Sequence, residues 1–238
     1  MKEVETLRTW LEESRQAVFF GGAGVSTESG IPDFRSVDGL YQQSYDYPPE
    51  TIISHSFFLQ EPEEFYRFYK EKMLYLDARP NVAHRKIAQL EAEGHLKAVV
   101  TQNIDGLHQA AGSGTVYELH GSVHRNYCMK CHKSFDAEYV KGSAGGPLCD
   151  SCGGMIKPDV VLYEEALDGI TVERSVEAIS RADLLIIGGT SLAVYPAAGL
   201  INYYSGSRLV LINKTPTPYD KRADLILSGK IGELLGQI

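Results

Sequence analysis

Two stretches constrain the fold more than any others. AVFFGG at 17–22 and DLLIIGG at 183–189 are each a strand-length apolar run that ends in two glycines. A continuous run without polar alternation predicts a strand covered on both faces, as in a parallel sheet. LKAVVTQ at 96–102, VVLY at 160–163, RLVLIN at 208–213 and DLIL at 224–227 read the same way. Helical spacing falls over 2–15, where Val4, Leu7 and Leu11 share a face, and over 62–76, 80–93, 171–181 and 197–204. Strand and helix in alternation predict a Rossmann-like open α/β fold, with helices on both faces and ligands at the carboxyl ends of the strands.

Two stretches interrupt this alternation. Residues 36–79 are rich in Tyr and Phe and contain Pro48, Pro49 and Pro62, and residues 122–157 hold all four cysteines among several glycines. Both read as insertions. The α/β domain is therefore expected to comprise 1–35, 80–121 and 158–238, with a loop and helical insertion at 36–79 and a cysteine module at 122–157.

Cys128-x2-Cys131 and Cys149-x2-Cys152 are separated by 17 residues. Each pair makes a knuckle of two thiolates, and two knuckles complete a tetrahedron around zinc. Two disulfides or two redox CxxC sites are the competing readings. The N-terminus, MKEVETLRTWLEESRQ, has no signal-peptide core. No run approaches the roughly 18 apolar residues of a membrane span. A cytoplasmic chain keeps its thiols reduced, which favours zinc over disulfides. Four thiolates leave no open coordination position, so the metal is expected to be structural. A net charge of −8 gives the wrong field for a nucleic-acid backbone, so no nucleic-acid partner is expected.

After the first strand come Gly21, Gly22, Ala23 and Gly24, then Ser26 and Thr27. Glycine permits close backbone approach to a pyrophosphate. The G-x-G-x-x-G pattern fails, because Thr27 stands at the third glycine position, and the usual ribose-binding acid about 20 residues on is missing. Gly30-Ile31-Pro32-Asp33-Phe34-Arg35 follows instead.

GAGVSTESGIPDFR resembles the signature of the sirtuins, NAD-dependent protein-lysine deacylases. Thr101-Gln102-Asn103-Ile104-Asp105 resembles the family's TQNID segment, and His120-Gly121 its histidine–glycine pair. Pro158-Asp159-Val160-Val161, Gly189-Thr190-Ser191-Leu192 and Ile212-Asn213 resemble three further family segments, in family order over nearly the whole chain. The compact length resembles bacterial members.

The resemblance implies NAD as co-substrate and one structural zinc held by Cys128, Cys131, Cys149 and Cys152. It places Ala23, Gly24 and Thr27 on the pyrophosphate, with Gly189, Thr190 and Ser191 on phosphate and ribose. Asn213, Lys214, Lys230 and Ile231 would frame the adenosine. Gln102, Ile104 and Asp105 would line the nicotinamide pocket, Asn103 would orient ribose hydroxyls, and His120 would be the general base. Phe34 would cover the reacting carbon, Asp33 would shape the loop and Arg35 would reach phosphate or the loop. Residues 33–45 are expected to order on substrate binding. His84 and His108, which recur in the family, are read as structural.

An acyl-lysine peptide is the implied partner, bound by strand addition near Val161, Tyr163, Glu164 and Val194. Leu162-Tyr163-Glu164-Glu165 departs from the family's frequent Phe-Phe-Gly-Glu. Tyr69 and Lys72 could align with the Tyr–Arg pair of desuccinylases, but a solvated helix face is the preferred reading. The resemblance thus implies a protein-lysine deacetylase, and with no coiled-coil heptads or other assembly signature in the sequence a monomer is expected. The alternatives are another acyl preference, desuccinylation included, or an ADP-ribosyltransferase.

Overall fold

A computed structural model describes residues 2–34, 39 and 47–238. The expected ordering of the loop at 33–45, and Arg35 with it, therefore lies almost wholly outside the described residues.

The strands are β1 (Ala17–Gly21), β2 (Leu96–Thr101), β3 (Val116–Glu118), β4 (Gly121–Cys128), β5 (Ser134–Phe135), β6 (Ile156–Val160), β7 (Leu184–Gly188), β8 (Leu209–Asn213) and β9 (Leu225–Ser228). The helices are α1 (Lys2–Glu13), α2 (Pro49–Ile52), α3 (His55–Gln60), α4 (Pro62–Lys72), α5 (Val82–Ala92), α6 (Leu107–Ala110), α7 (Ala137–Gly142), α8 (Gly169–Arg181) and α9 (Ile231–Leu235).

Six strands form one parallel sheet in the order β3-β2-β1-β7-β8-β9. Every residue of β1 and β7 is buried, and alternate residues serve opposite faces. Phe19, Ile186 and Val210 pack with Val4, Leu7 and Leu11 of α1, Ile87 of α5 and Leu235 of α9. Phe20, Ile187 and Leu211 pack on the other face with Ile179 of α8 and with Ala198 and Ile201 of a 3-10 helix at Ala197–Tyr203. Burying both faces explains why these strands read as unbroken apolar runs.

The order reverses at β1, with β2 on one side and β7 on the other. That is a switch point, where a crevice opens at the carboxyl ends. Register fixes its rim: Gly21 lies level with Thr101 and with Gly188, and Thr101 lies level with Glu118.

A second, antiparallel sheet has the order β5-β4-β6. The strand expected at 160–163 is displaced: β6 ends at Val160 and belongs to this smaller sheet. The reason lies in its composition. Lys157 and Pro158 hide the strand pattern, and β6 is an edge strand, where proline is tolerated. Lys157 is nonetheless buried, because Glu165 accepts from its Nζ at 3.0 Å.

The smaller sheet and the helical insertion share one apolar cluster. Phe58, Phe65, Tyr66 and Tyr69 pack with Val140, Ile156, Cys128 and Cys149. The Tyr66 hydroxyl donates to the Ile156 carbonyl. Lys70 Nζ donates to the carbonyls of Ser143 at 2.6 Å and Gly145 at 2.7 Å.

Candidate active site

The segments that follow β1, β2, β3 and β7 meet at the switch point. The loops after β1 and β7 interlock through backbone alone. Gly24 N donates to Gly189 O at 2.8 Å, and a Cβ on Gly189 would lie 2.4 Å from Val25 N. Gly189 also has φ of +61°, so only glycine fits there. Thr27 is half-buried, and its hydroxyl donates to Gly24 O at 3.0 Å.

A polar bridge continues across the rim. Gln102 N donates to Gly21 O, and its Nε2 donates to Thr190 Oγ1 at 3.1 Å. Asn213, at the end of β8, accepts from Thr190 N at 3.0 Å through Oδ1. Its Nδ2 is buried without a hydrogen-bond partner among the described residues. An orphaned donor beside a glycine interlock fits a ligand rich in phosphate and hydroxyl oxygens.

Ser26 is the hub of a buried network. Its hydroxyl donates to Asp105 Oδ2 at 2.6 Å and accepts from Asn103 Nδ2 at 3.1 Å. His84 Nε2 lies 3.4 Å from the same oxygen. Asn81 N donates to His84 Nδ1, which puts the ring proton on Nε2, facing Ser26. Asn81 and His84 form a reciprocal capping box at the start of α5, and Asn81 Nδ2 also donates to Val25 O at 2.8 Å. Burial lowers the His84 pKa to about 4, with Arg85 adding to the shift. His108 packs edge-on to it with ring centroids 4.8 Å apart, and burial lowers its pKa to about 3. Neither ring nitrogen of His108 has a hydrogen-bond partner among the described residues. Both histidines are therefore neutral at pH 7.

Asp105 is raised in pKa, chiefly by burial, against the lowering effect of Ser26 and the Leu107 N–H. Its Oδ1 accepts from Leu107 N at 2.9 Å. Ile104 and Phe34 pack against the aromatic cluster shared by the insertion and the small sheet.

His120 follows β3 and Leu119. Its Nδ1 lies 2.9 Å from Gln102 O. A carbonyl only accepts, so Nδ1 carries the proton and Nε2 presents a lone pair. Burial lowers the pKa below the usual value, against the raising effect of the Gln102 bond. The ring is a neutral base with one nitrogen already oriented.

His120 is joined directly to the expected peptide edge, because Val161 N donates to His120 O at 3.0 Å. Gly121 has φ of +75°, and a Cβ there would lie 1.9 Å from Asp159 O. Tyr163 has its N–H on Ile53 O and its carbonyl on His55 N, both at 3.0 Å. It offers the site an exposed ring rather than strand-pairing groups. Glu164 has φ of +75°, and its Oε2 accepts from Ser56 N at 2.8 Å and Ser56 Oγ at 2.6 Å. Val194 lies in the loop after β7, and its carbonyl accepts from Ala198 N at 2.8 Å.

Other expected site residues are placed as follows. Ala23 and Asp33 are half-buried beside the β1 loop, and Ser191 and Lys214 are exposed. Lys230 Nζ is paired with Glu233 at 2.8 Å, and Ile231 is buried in the core beneath Gly188. Tyr69 is wholly buried rather than on a solvated helix face, and Lys72 pairs with Glu71 at 2.9 Å. Ser26, Asn81 and His84 received no site role from sequence. The Asn-x-x-His capping pattern was the available signal.

The four cysteines fit a metal. All four Sγ atoms lie within 4.8 Å of one another, with Cys128–Cys152 at 3.4 Å and Cys131–Cys149 at 3.6 Å. Tetrahedral zinc with bonds of about 2.3 Å sets sulfurs roughly 3.8 Å apart. Backbone N–H groups of Cys131 and Lys130 point at Cys128 Sγ, and the Cys131 contact leads in lowering its pKa to about 6.

Known proteins agree with this geometry. The Sir2 family model matches residues 22–196. An NAD-dependent protein deacetylase of Clostridium acetobutylicum is 60% identical over 238 residues, covering 99% of this chain and 97% of that protein. One from Clostridium perfringens is 56% identical, covering 99% and 98%. A solved structure of Sir2 with p53 peptide and NAD+ superposes with a TM-score of 0.88 at 43% identity, over 98% of this chain and 96% of that one. Sir2 bound to acetylated peptide gives 0.87 at 41% identity, with the same coverage. From its switch-point loops to its four-cysteine module, this chain belongs to the Sir2 family.

Proposed function

We propose that the protein is an NAD-dependent protein-lysine deacetylase, acting as a monomer in the cytoplasm. The observation that carries this reading is the single orientation of His120, with Nδ1–H fixed on Gln102 O and Nε2 free beside the peptide edge. Close relatives with the same activity support it.

Ala23, Gly24 and Thr27 hold the pyrophosphate, and Thr190 with Ser191 holds the adjoining ribose. Gly189, by its missing Cβ, lets the loop after β1 pack directly against it. Asn213 Nδ2 finds its partner on the adenosine side, where Lys214 lies at the surface. Lys230 and Ile231 contribute through backbone there, since one side chain is paired and the other is core. Asp105 receives the carboxamide N–H groups on lone pairs left over from Ser26 and Leu107. Gln102 and Ile104 complete that pocket, and Phe34 excludes water. Asp33 holds the Phe34 turn, and Arg35 serves the same loop.

When bound, NAD supplies a ribosyl carbon that exchanges its bond to nicotinamide for one to the acyl oxygen. Asn103 orients the ribose hydroxyls. His120 Nε2 takes the proton of one hydroxyl, so that its oxygen can attack the acyl carbon. The acyl carbon releases the lysine amine, which takes up a proton, and gains one water oxygen, so that acyl-lysine, NAD and water give free lysine, nicotinamide and O-acyl-ADP-ribose. Val161 and Glu164 on one side and Val194 on the other hold the peptide strand, with Tyr163 beside it. The cysteine module carries a structural zinc and takes no part in the chemistry.

The test is incubation with NAD and an acetyl-lysine peptide, with all products followed by mass. Deacetylated peptide and O-acetyl-ADP-ribose are expected. ADP-ribosylated protein with intact acetyl-peptide would overturn the reading. His120→Ala should lower kcat about 10²- to 10⁴-fold with NAD affinity retained. A succinyl-peptide arm measures acyl preference.

A further inference from the structure

We infer that Arg125 is a positioning residue for deacylation, clipping the strand that delivers His120 to the strand that delivers Val161. The inference rests on the deacetylase reading above. Arg125 lies on β4 and bonds outward in two directions. One guanidinium nitrogen donates to Glu118 Oε2 and Nε donates to Asp159 Oδ2, each at 2.7 Å. Glu118 ends β3 of the large sheet, two residues before His120. Asp159 lies in β6 of the small sheet, two residues before Val161.

The clip sits where the backbone ladder is open. Strands β4 and β6 pair at Gly121–Val160 and resume at Asn126–Pro158, with an irregularity between. Residues 122–125 of β4 thus face only Asp159 on β6. The Arg125–Asp159 bond supplies a tie across that gap. The second bond carries it to the large sheet, on the side where Val161 N bonds His120 O. The guanidinium fork suits two carboxylates at once, which an ammonium does not.

Burial separates positioning from bulk stability. The Arg125 side chain is 54% exposed and that of Asp159 is 41% exposed, so their pair adds little to folding. Glu118 is only 8% exposed, so its carboxylate needs the partner. Loss of Arg125 leaves the base and the peptide edge joined through the Gly121–Val160 pairing and the bond from Val161 N to His120 O, with no side-chain tie across the open part of the ladder. Misplacement of reacting groups by a fraction of an ångström is expensive in rate.

The test uses the full chain with zinc bound. In Arg125→Ala, kcat/KM for an acetyl-lysine peptide is expected to fall about tenfold, mostly in kcat. The Kd for NAD should stay within about twofold of the parent. Arg125→Lys should recover only part of the loss. Glu118→Gln/Asp159→Asn should reproduce it, and adding Arg125→Ala to that pair should lower the rate little further. Unchanged peptide kinetics in Arg125→Ala would overturn the inference, as would a loss matched by equal weakening of NAD. An inactive parent protein would instead overturn the deacetylase reading itself.

Discussion

The large parallel sheet and the small antiparallel sheet are held together by different means. The first is buried on both faces by aliphatic and aromatic side chains that its own flanking helices cover. The second has three strands, one of them two residues long, and borrows its core from the helical insertion. Its remaining support is the cluster of four thiolates. A sheet with two full cores holds its shape by hydrophobic burial. A sheet this small needs a metal to do so. The proposed site residues stand at the seam: Asp105 and Asn103 sit on the self-supporting side, and Val161 on the dependent side. Nucleotide binding and peptide binding should therefore fail separately.

The largest expected effect comes from metal removal. Cys149→Ser, or a strong chelator, should abolish turnover of acetyl-peptide, since structural zinc contributes on the order of 10 kcal/mol to such modules. NAD affinity, measured by calorimetry, should survive with modest loss. Equal loss of both would erase the distinction between the lobes.

Acid should act on the other lobe. His84 and His108, from α5 and α6, are neutral in the fold with pKa values lowered to about 4 and about 3. Below the ordinary value of about 6.5 the unfolded chain binds more protons than the fold does. Their contribution is thus complete above 6.5 and is lost as pH falls toward 4 and 3. His108→Phe removes a ring with no nitrogen partner among the described residues. It should flatten the acid loss between pH 6.5 and 4 by roughly 2 kcal/mol in urea unfolding. An unchanged slope would show that this pair does not carry the acid sensitivity.

The smallest effect tests the joint between insertion and small sheet. Glu164 occupies a left-handed conformation that glycine adopts freely, but its carboxylate holds Ser56. Glu164→Ala keeps the strain and loses the bond, so its Tm should fall about 3 °C. Glu164→Gly loses both and should lie closer to the parent. The reverse order would mean that the left-handed conformation stores no strain, and a Glu164→Ala Tm equal to the parent's would mean that Ser56 contributes nothing.

Much of the large sheet was legible because burial on both faces writes itself as an unbroken apolar run. The cysteine spacing was legible because metal geometry demands it. Strand β6 was not, since Lys157 is neutralised by Glu165, a partner eight residues away that no periodicity reveals. The switch-point residues could be located from Gly21–Gly24 and Gly189 by their glycines. The Ser26 network could not, because each of its partners lies more than 50 residues from Ser26 along the chain and meets it only through the sheet register. Tyr69 looked amphipathic by charge pattern, yet the shared aromatic cluster takes it fully inside.

The two crossings at His120–Gly121 and Val160–Val161 are bonded to each other, and Tyr163 is bonded to the insertion on both of its backbone groups. The seam carries further ties: Val123 N donates to Ile104 O at 2.9 Å, and Arg125 bonds Glu118 at 2.7 Å. Lys70 and the common cluster fasten the insertion to the cysteine module. The proposed base and the proposed peptide edge are thus moored to one seam, and whatever displaces one of them is transmitted to the other.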